Sequence, residues 1–203
     1  MNSKNIIEQD LKAQLNVLLG NITKVVDDFN IQVLVQETFS ISRFTSSNDV
    51  EDFLKNFSER IIKSKASIYL YAFDCASADD SKLLADLFLE YREQEKKKNK
   101  SDKHALCATN AATSEDSNTL YVGKSEGNIL GRIEDHIGFD MGHKSTWALK
   151  LYHWMNKDIA KYVKLTLTIY EIKSTEKIEA HHKVALRLLE ESLRAIKKPR
   201  LGR

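Results

Sequence analysis

Several residue types that handle phosphate groups occur close together in the middle of the chain. The run Tyr121-Val122-Gly123-Lys124 predicts a strand that ends in a glycine turn, and Arg132 and His136 follow it. Arg132 and His136 are four residues apart, so a helix would place them on one face. Arginine matches phosphate geometry with two parallel hydrogen bonds, and histidine can position or deprotonate a water near neutral pH. These side chains together predict a phosphate site.

A carboxylate near the end of the chain is a candidate metal ligand. Glu190 lies four residues after Leu186 and three before Leu193, so it borders the apolar stripe of a predicted helix. A carboxylate at a buried edge is costly unless a cation or hydrogen bonds compensate it. Mg²⁺ would do so, because it binds one or two carboxylates together with waters and substrate phosphate. The alternative, which this position alone favours, is a salt bridge at the core edge, for instance to Arg132.

Three large apolar residues close to this region share one predicted helical face. They are Trp147, Leu151 and Trp154, within a helix predicted from Ser145 to Met155. Such a face is typical of a core contact, and the alternative is a platform on which nucleic-acid bases stack. We expect the core contact.

The elements that would position these residues are strands and helices in mixed order. Strands are predicted over Ser67 to Phe73, Thr119 to Gly123 and Tyr162 to Ile172, and Ile31 to Phe44 alternates like extended chain. Further helices are predicted over Asn5 to Asp28, about Ser46 to Lys63, Asp80 to Lys97, Ile129 to Ile137 and Thr175 to Lys197.

Composition narrows the class of protein. The chain has 203 residues, 42% of them hydrophobic, which is enough for one good-sized core. A formal net charge of +2 means that any nucleic-acid-binding surface must be local. The sequence contains no apolar leader and no membrane-spanning run, and Cys75 and Cys107 form no C-x-x-C pair. We therefore expect a soluble protein of a reducing compartment, the cytoplasm, with no membrane partner.

In their order along the chain, the motif residues resemble the GIY-YIG nuclease superfamily. The resemblance covers about residues 65 to 203. It rests on Ser67-Ile68-Tyr69, Tyr121-Val122-Gly123, Arg132 with His136, and Leu189-Glu190-Glu191-Ser192-Leu193 leading to Pro199.

The resemblance and the predicted elements together give an expected fold. We expect an α/β fold in which a small, mostly antiparallel, three-stranded sheet is flanked by helices. Residues 1–64 would form a mainly helical N-terminal region, and residues 65–203 the nuclease-like domain. An insertion over about residues 74–118 would separate the first two motif strands, where compact members of the family have a tight connection.

The resemblance also implies a role for each polar residue. Tyr69 and Tyr121 would face each other from adjacent antiparallel strands, and one of them would hold or activate the attacking water. Arg132 would stabilise charge on the scissile phosphate. His136 would assist proton transfer or orient a tyrosine hydroxyl. Glu190 would ligate one Mg²⁺ or Mn²⁺ ion, which draws charge from the phosphate and from the leaving 3′-oxygen.

Four positions extend this pattern or depart from it. Lys124, just after the glycine turn, would add a phosphate contact. Ser67 replaces the first glycine of the first motif, and Tyr71 lies on the same strand face as Tyr69 and could substitute for it. Gly202 occupies the place of an asparagine that the family usually has shortly after the proline, so the role of that asparagine is lost or passes to another polar group.

The expected function is a metal-dependent endonuclease that hydrolyses phosphodiester bonds in DNA. The long insertion suggests restriction or another defence role as its setting. One alternative is a catalytically degenerate module of the same fold that binds nucleic acid or a protein partner, which the missing asparagine favours. A second is a helical interaction protein in which Tyr69, Tyr121, Arg132 and Glu190 lie far apart.

Overall fold

The chain was analysed as a computed structural model. It describes residues 13–14, 16–21, 23–24, 26–27, 29–66, 68–99, 101–109, 115–139, 147–155, 158–173 and 180–202. Within these ranges, no helix is long and apolar enough to cross a membrane.

A four-stranded antiparallel sheet lies at the centre of the fold. Its strands are β1 (Asn30–Phe39), β2 (Ile68–Cys75), β3 (Thr119–Glu126) and β4 (Leu165–Lys173). They lie in the order β1-β4-β2-β3, and every neighbouring pair is antiparallel. Strand β2 is central and buried along nearly its whole length, which explains its almost continuous apolar sequence.

Helices cover both faces of this sheet. They are α1 (Ser47–Ser64), α2 (Ala78–Lys96), α3 (Ile129–Ile137), α4 (Leu151–Met155) and α5 (Ala180–Lys197). The main core forms where α1 to α4 pack on one face, which carries Tyr69, Tyr71 and Phe73 of β2. Ile68 and Leu70 point to the other face and pack with Leu186 of α5. The predicted α/β architecture, an antiparallel sheet flanked by helices, is confirmed.

The sheet has four strands rather than the predicted three. The additional strand is β1, which runs antiparallel to β4 from the pair Asn30 and Lys173 to the pair Phe39 and Leu165. Alternation in the sequence indicated an extended segment here, but alternation does not identify the strand that an extended segment will pair with.

Part of the N-terminal region belongs to the same core as the later strands. Phe39 of β1 packs on Phe53 of α1 with ring centroids 4.9 Å apart, and Phe53 packs on Phe57 at 5.3 Å. Phe39 also contacts Phe73 of β2 edge-on. The described residues between 13 and 27 are helical, as predicted, and residues 1–12 lie outside the described part of the chain.

The insertion between the first two motif strands leaves their pairing intact. The backbone N–H of Cys75 donates to the carbonyl of Asn118 at 2.8 Å, and the Asn118 side chain donates to the Cys75 carbonyl at 3.2 Å. The two ends of the insertion therefore meet, and β2 and β3 pair much as they would in a hairpin. Within the insertion, Leu84 and Phe88 of α2 are fully buried.

The predicted helix from Ser145 to Met155 is helical only from Leu151 onward among its described residues. Lys150 has a φ of 54°, which interrupts a right-handed helix before that point. Leu151 and Trp154 are buried as expected, but Trp147 is 64% exposed, so its expected place in the core is wrong. For the last predicted helix, residues 174–179 lie outside the described residues and α5 begins at Ala180.

Two imidazoles stack between α2 and α4. The rings of His104 and His153 have centroids 4.5 Å apart, and Tyr91 hydrogen-bonds to His104 Nδ1 at 2.7 Å. Burial lowers the pKa of His104, and burial together with the neighbouring His104 and Lys150 lowers the pKa of His153 to about 4. Both rings are therefore neutral at physiological pH.

We expect the fold to lose stability in acid through this pair. The pKa of His153 is about 4 in the folded chain against 6.5 as its ordinary value, so the unfolded chain binds more protons as the pH falls from 6.5 to 4. The free energy of unfolding must then decrease over that interval. Urea unfolding at several pH values measures this decrease, and His153→Phe, which keeps a ring but cannot be protonated, should make it shallower. An identical pH dependence in the variant would contradict the expectation.

Candidate functional site

The pairing of β2 with β3 sets Tyr71 directly opposite Gly123. A Cβ atom at residue 123 would lie 2.6 Å from the Tyr71 hydroxyl oxygen and 2.8 Å from Cε1 of Tyr121. The rings of the two tyrosines are stacked, with centroids 6.1 Å apart. Residue 123 must therefore be glycine for both tyrosines to lie over the strand.

Helix α3 brings the predicted arginine and histidine to the Tyr71 hydroxyl. The helix is capped by the side chain of Asn128 and ends at Gly138, whose φ of 69° suits glycine. His136 Nε2 lies 2.9 Å from the Tyr71 hydroxyl oxygen, and Arg132 Nε donates to the same oxygen at 3.2 Å. The four-residue spacing does place both side chains on one face, and that face meets Tyr71.

The hydrogen bonds of His136 define its tautomer. The backbone N–H of Leu149 donates to His136 Nδ1 at 3.1 Å, so Nδ1 is an acceptor and the ring proton is on Nε2, directed at Tyr71. Burial, with the charges of Arg132 and Lys150, holds the pKa of His136 well below its usual range. His136 is thus a neutral, fully buried donor that fixes the position of the Tyr71 hydroxyl.

The two tyrosines differ in their access to solvent. Tyr71 is fully buried, whereas Tyr121 is 8% exposed. Burial raises the pKa of both hydroxyls, so both are protonated at neutral pH. Since Tyr71 accepts from both His136 and Arg132, its own proton is left to point toward Tyr121, and this hydrogen bonding lowers the pKa of Tyr121 against the larger effect of burial.

The guanidinium of Arg132 is held from two sides. Besides its bond to Tyr71, it donates from Nη2 to the backbone carbonyl of Trp147 at 2.6 Å. The remaining nitrogen, Nη1, lies 3.9 Å from a carboxylate oxygen of Asp135, and the side chain is 25% exposed. The cation is therefore fixed in orientation and still reaches solvent along one edge.

Glu190 lies beside this cluster on α5, which packs against β3. It is half-buried, and no hydrogen bond or ion pair joins its carboxylate to any residue that the structure describes. Burial raises its pKa, opposed by the charges of Lys124 and Arg194, and Glu190 in turn raises the pKa of Tyr121. A half-buried carboxylate to which no described residue is hydrogen-bonded or ion-paired, and whose charge acts on a tyrosine, fits a hard divalent cation.

Such a cation would take most of its ligands from waters and from a phosphate, with Glu190 as the carboxylate ligand from the described residues. Among the described residues, no group of three or more histidine, cysteine, aspartate or glutamate side chains is placed to hold a metal ion. One carboxylate with waters and substrate phosphate is the ligand set that Mg²⁺ commonly takes, so the residues present fit a single ion.

Two of the predicted site residues do not join the cluster. Tyr69 pairs with Ser125, one step along the same face from Tyr71, and its hydroxyl donates to the carbonyl of Ala66 at 2.5 Å. The position that the first motif predicts for Tyr69 is occupied by Tyr71. Lys124 points to the opposite face of β3 from Tyr121, where it donates to Glu126 at 2.8 Å.

Residues near Leu201 add a short second neighbour to β3, which is otherwise an edge strand. Leu201 forms a bridge with Tyr121, and the N–H of Gly202 donates to the carbonyl of Ala108 at 2.7 Å. Gly202 has a φ of 97°, which residues other than glycine rarely adopt. The backbone conformation itself thus favours glycine at the place where the family pattern has asparagine.

A buried arginine fills the space beside Gly202. Arg194 is 6% exposed and donates from Nη1 to the carbonyl of Val122 at 3.1 Å. A Cβ at residue 202 would lie 3.0 Å from that Nη1 and 3.0 Å from Cε2 of Tyr121. Sequence reasoning missed Arg194, although a basic residue one helical turn after Glu190 was a visible signal.

Known proteins give no further guide to this site. Neither family models, nor curated proteins, nor solved structures yielded a match to the chain. The resemblance to GIY-YIG nucleases therefore depends on the motif residues and on their arrangement, and it remains a proposal.

We expect Gly123→Ala to destabilise the fold. The added methyl group would meet Tyr71 and Tyr121 at less than van der Waals distance, so the Tyr71 hydroxyl must leave its donors. Overpacking of this kind costs roughly 1–3 kcal/mol. Urea unfolding measures the loss. Gly20→Ala is the matched control, because a Cβ at that exposed helical position meets no atom within 4 Å. Equal stability of the wild type and Gly123→Ala would show that the site can repack.

We expect Gly202→Asn to destabilise the chain end, since the side chain would require an unfavourable φ and would meet Arg194. A side chain at residue 202 would meet both Arg194 and Tyr121. In an Arg194→Ala background the same substitution should therefore destabilise the protein less, because one of these two groups is gone. A double-mutant cycle by urea unfolding measures this coupling, which for residues in contact is about 0.5–3 kcal/mol. If the free-energy changes of the two substitutions are strictly additive, Arg194 does not occupy the space beside residue 202.

Proposed function

We propose that this chain is a metal-dependent endonuclease of the GIY-YIG type that hydrolyses phosphodiester bonds in DNA. The observation that carries the proposal is that Arg132 and His136 both hydrogen-bond to one buried hydroxyl, that of Tyr71, whose ring stacks on that of Tyr121. Glu190 acts on Tyr121 from α5, and no described residue forms a hydrogen bond or ion pair with its carboxylate. Arginine, histidine and tyrosine converge on one point, with Tyr71 in place of the predicted Tyr69. Among the described residues, no cation is paired with the carboxylate.

Within this proposal, the two tyrosines have different tasks. Tyr121 holds the attacking water, because it is the less buried of the two tyrosines and the charge of Glu190 acts on its hydroxyl. Tyr71 and His136 are fully buried, so they act as positioning residues that fix the Tyr121 hydroxyl and the Arg132 guanidinium. His136 stays neutral and donates through Nε2 throughout.

The negative charge of the scissile phosphate is stabilised by Arg132 and by the ion that Glu190 holds. Arg132 presents its solvent-facing edge to the phosphate, and its orientation is set beforehand by Tyr71 and the Trp147 carbonyl. Lys124 lies on the opposite face of β3 and is paired with Glu126, so the predicted contact of Lys124 with the same phosphate is left out of this proposal. Glu190 holds the ion, and a bound Mg²⁺ or Mn²⁺ would supply Lewis-acid stabilisation of charge on the phosphate and the leaving oxygen.

A second candidate is a non-cutting module that binds nucleic acid or a protein through the same surface. It is favoured by Gly202 in place of the family asparagine and by the internal hydrogen bonds that already occupy two nitrogens of Arg132. A third hypothesis is a helical interaction protein in which Tyr69, Tyr121, Arg132 and Glu190 lie far apart. Tyr69 does lie apart from the cluster, but Tyr121 and Arg132 both pack on Tyr71, which counts against this hypothesis. A setting in restriction or defence remains a proposal that depends on the insertion alone.

The proposal predicts Mg²⁺-dependent or Mn²⁺-dependent nicking or linearisation of supercoiled plasmid, abolished by EDTA. Arg132→Ala and Glu190→Gln should each lower the rate about 100-fold or more, because each removes charge stabilisation of the transition state. Glu51→Gln is the control: it changes an exposed carboxylate on α1 to which no described residue of the site is hydrogen-bonded or ion-paired, and it should cleave like the wild type.

Agarose gel assays and circular dichroism of each folded variant decide the result. Nuclease activity that survives both Arg132→Ala and Glu190→Gln would point to a contaminating enzyme or another site. Metal-dependent DNA binding by a wild type that does not cleave would favour the binding module.

A further inference from the structure

The segment Trp147 to Leu149 is tied to the candidate site at both ends. The Trp147 carbonyl accepts from Arg132 Nη2 at 2.6 Å, and the Leu149 N–H donates to His136 Nδ1 at 3.1 Å. Ala148 and Leu149 are fully buried, whereas Trp147 is 64% exposed. The one solvent-exposed side chain of the segment is therefore an indole whose backbone is held by the guanidinium of the site.

The exposure of Trp147 is not required by the packing of this region. The other tryptophan of the chain, Trp154, is 4% exposed, packs on Phe88 and donates from its indole to the Leu149 carbonyl at 2.8 Å. Trp154 is thus the tryptophan that packs in the core of this region. Trp147 contributes to the site through its backbone, so its large, flat, apolar side chain is available to a ligand.

We propose that the Trp147 indole stacks on a nucleobase of the nucleotide next to the phosphate that Arg132 binds. This inference rests on the proposed function, which does not say how the nucleobase is bound. In a nucleotide, one sugar separates the base from its phosphate. In the protein, the indole belongs to Trp147, the residue whose backbone carbonyl accepts a hydrogen bond from the Arg132 guanidinium. Aromatic side chains beside a cation are the usual means of binding unpaired nucleotides, since every base offers a flat face.

Stacking on an exposed indole requires a base that is not already stacked on both sides. A regular duplex offers no such base unless one is extruded, which costs unstacking energy. The protein should therefore bind single-stranded DNA, or DNA with an unpaired base, more tightly than regular duplex. Trp147 should account for that difference.

The test uses the full chain carrying Glu190→Gln, so that DNA is bound in Mg²⁺ without being cut. Trp154→Phe is added in one preparation, so that all tryptophan fluorescence comes from Trp147. An oligonucleotide, single-stranded or paired with its complement, is the probe. We expect the single strand to quench the Trp147 emission and to protect it from acrylamide.

Affinity measured by fluorescence anisotropy gives the second readout. Trp147→Ala should weaken single-strand binding about 5- to 100-fold, the range of one stacked base, and Trp147→Phe should restore most of it. The salt dependence of binding should not change, because the indole carries no charge, whereas Arg132→Ala should reduce its slope by about one ion. Tyr162→Ala, at an aromatic residue that is 65% exposed and lies beside Lys161, is the matched control with no effect.

Suppose that the protein with Glu190 intact cuts DNA, but that Trp147→Ala leaves the affinity unchanged and DNA leaves the Trp147 emission unchanged. The stacking proposal would then be overturned, while the nuclease proposal would stand. An altered salt slope in Trp147→Ala would also overturn it, since the residue would then act through the cationic site. If no preparation bound or cut DNA, the inference and the proposed function would both fail.

Discussion

The close approach of Tyr71 to Gly123 is the constraint on which the candidate site depends. No side-chain atom fits between them, so the Tyr71 hydroxyl can lie over β3 and beside Tyr121 only because residue 123 lacks a Cβ. The register of β2 on β3 sets this pair, and a shift of one residue would turn Tyr71 to the opposite face of the sheet. The pairing of β2 with β4 on its other side holds that register.

Around this contact, the site combines buried neutral groups with a few charges near the surface. His136 and Tyr71 are desolvated and uncharged, so they can be fully buried once they hydrogen-bond to each other. The charges of Arg132 and Glu190 lie farther out, where they are partly solvated. Such an arrangement fixes the donors in place without a ligand. If the proposed function holds, donors preorganised in this way would supply charge stabilisation.

Parts of the chain outside the motifs support this arrangement. The insertion contributes buried residues through α2, and the N-terminal region contributes β1 and the phenylalanines of α1. Lys150 connects two buried groups of the fold: its charge lowers the pKa of His136 in the site and that of His153 in the stacked pair beside α2.

The sequence by itself determined the elements and several members of the site. Periodicity identified β2 to β4 and most helices, and spacing placed Arg132 and His136 on one helical face, because these are local properties of the chain. Tertiary structure decided the rest. It added β1 to the sheet, chose Tyr71 rather than Tyr69, exposed Trp147 and set Arg194 beside Gly202. These outcomes depend on strand register and on the packing of residues far apart in sequence, which no local pattern encodes.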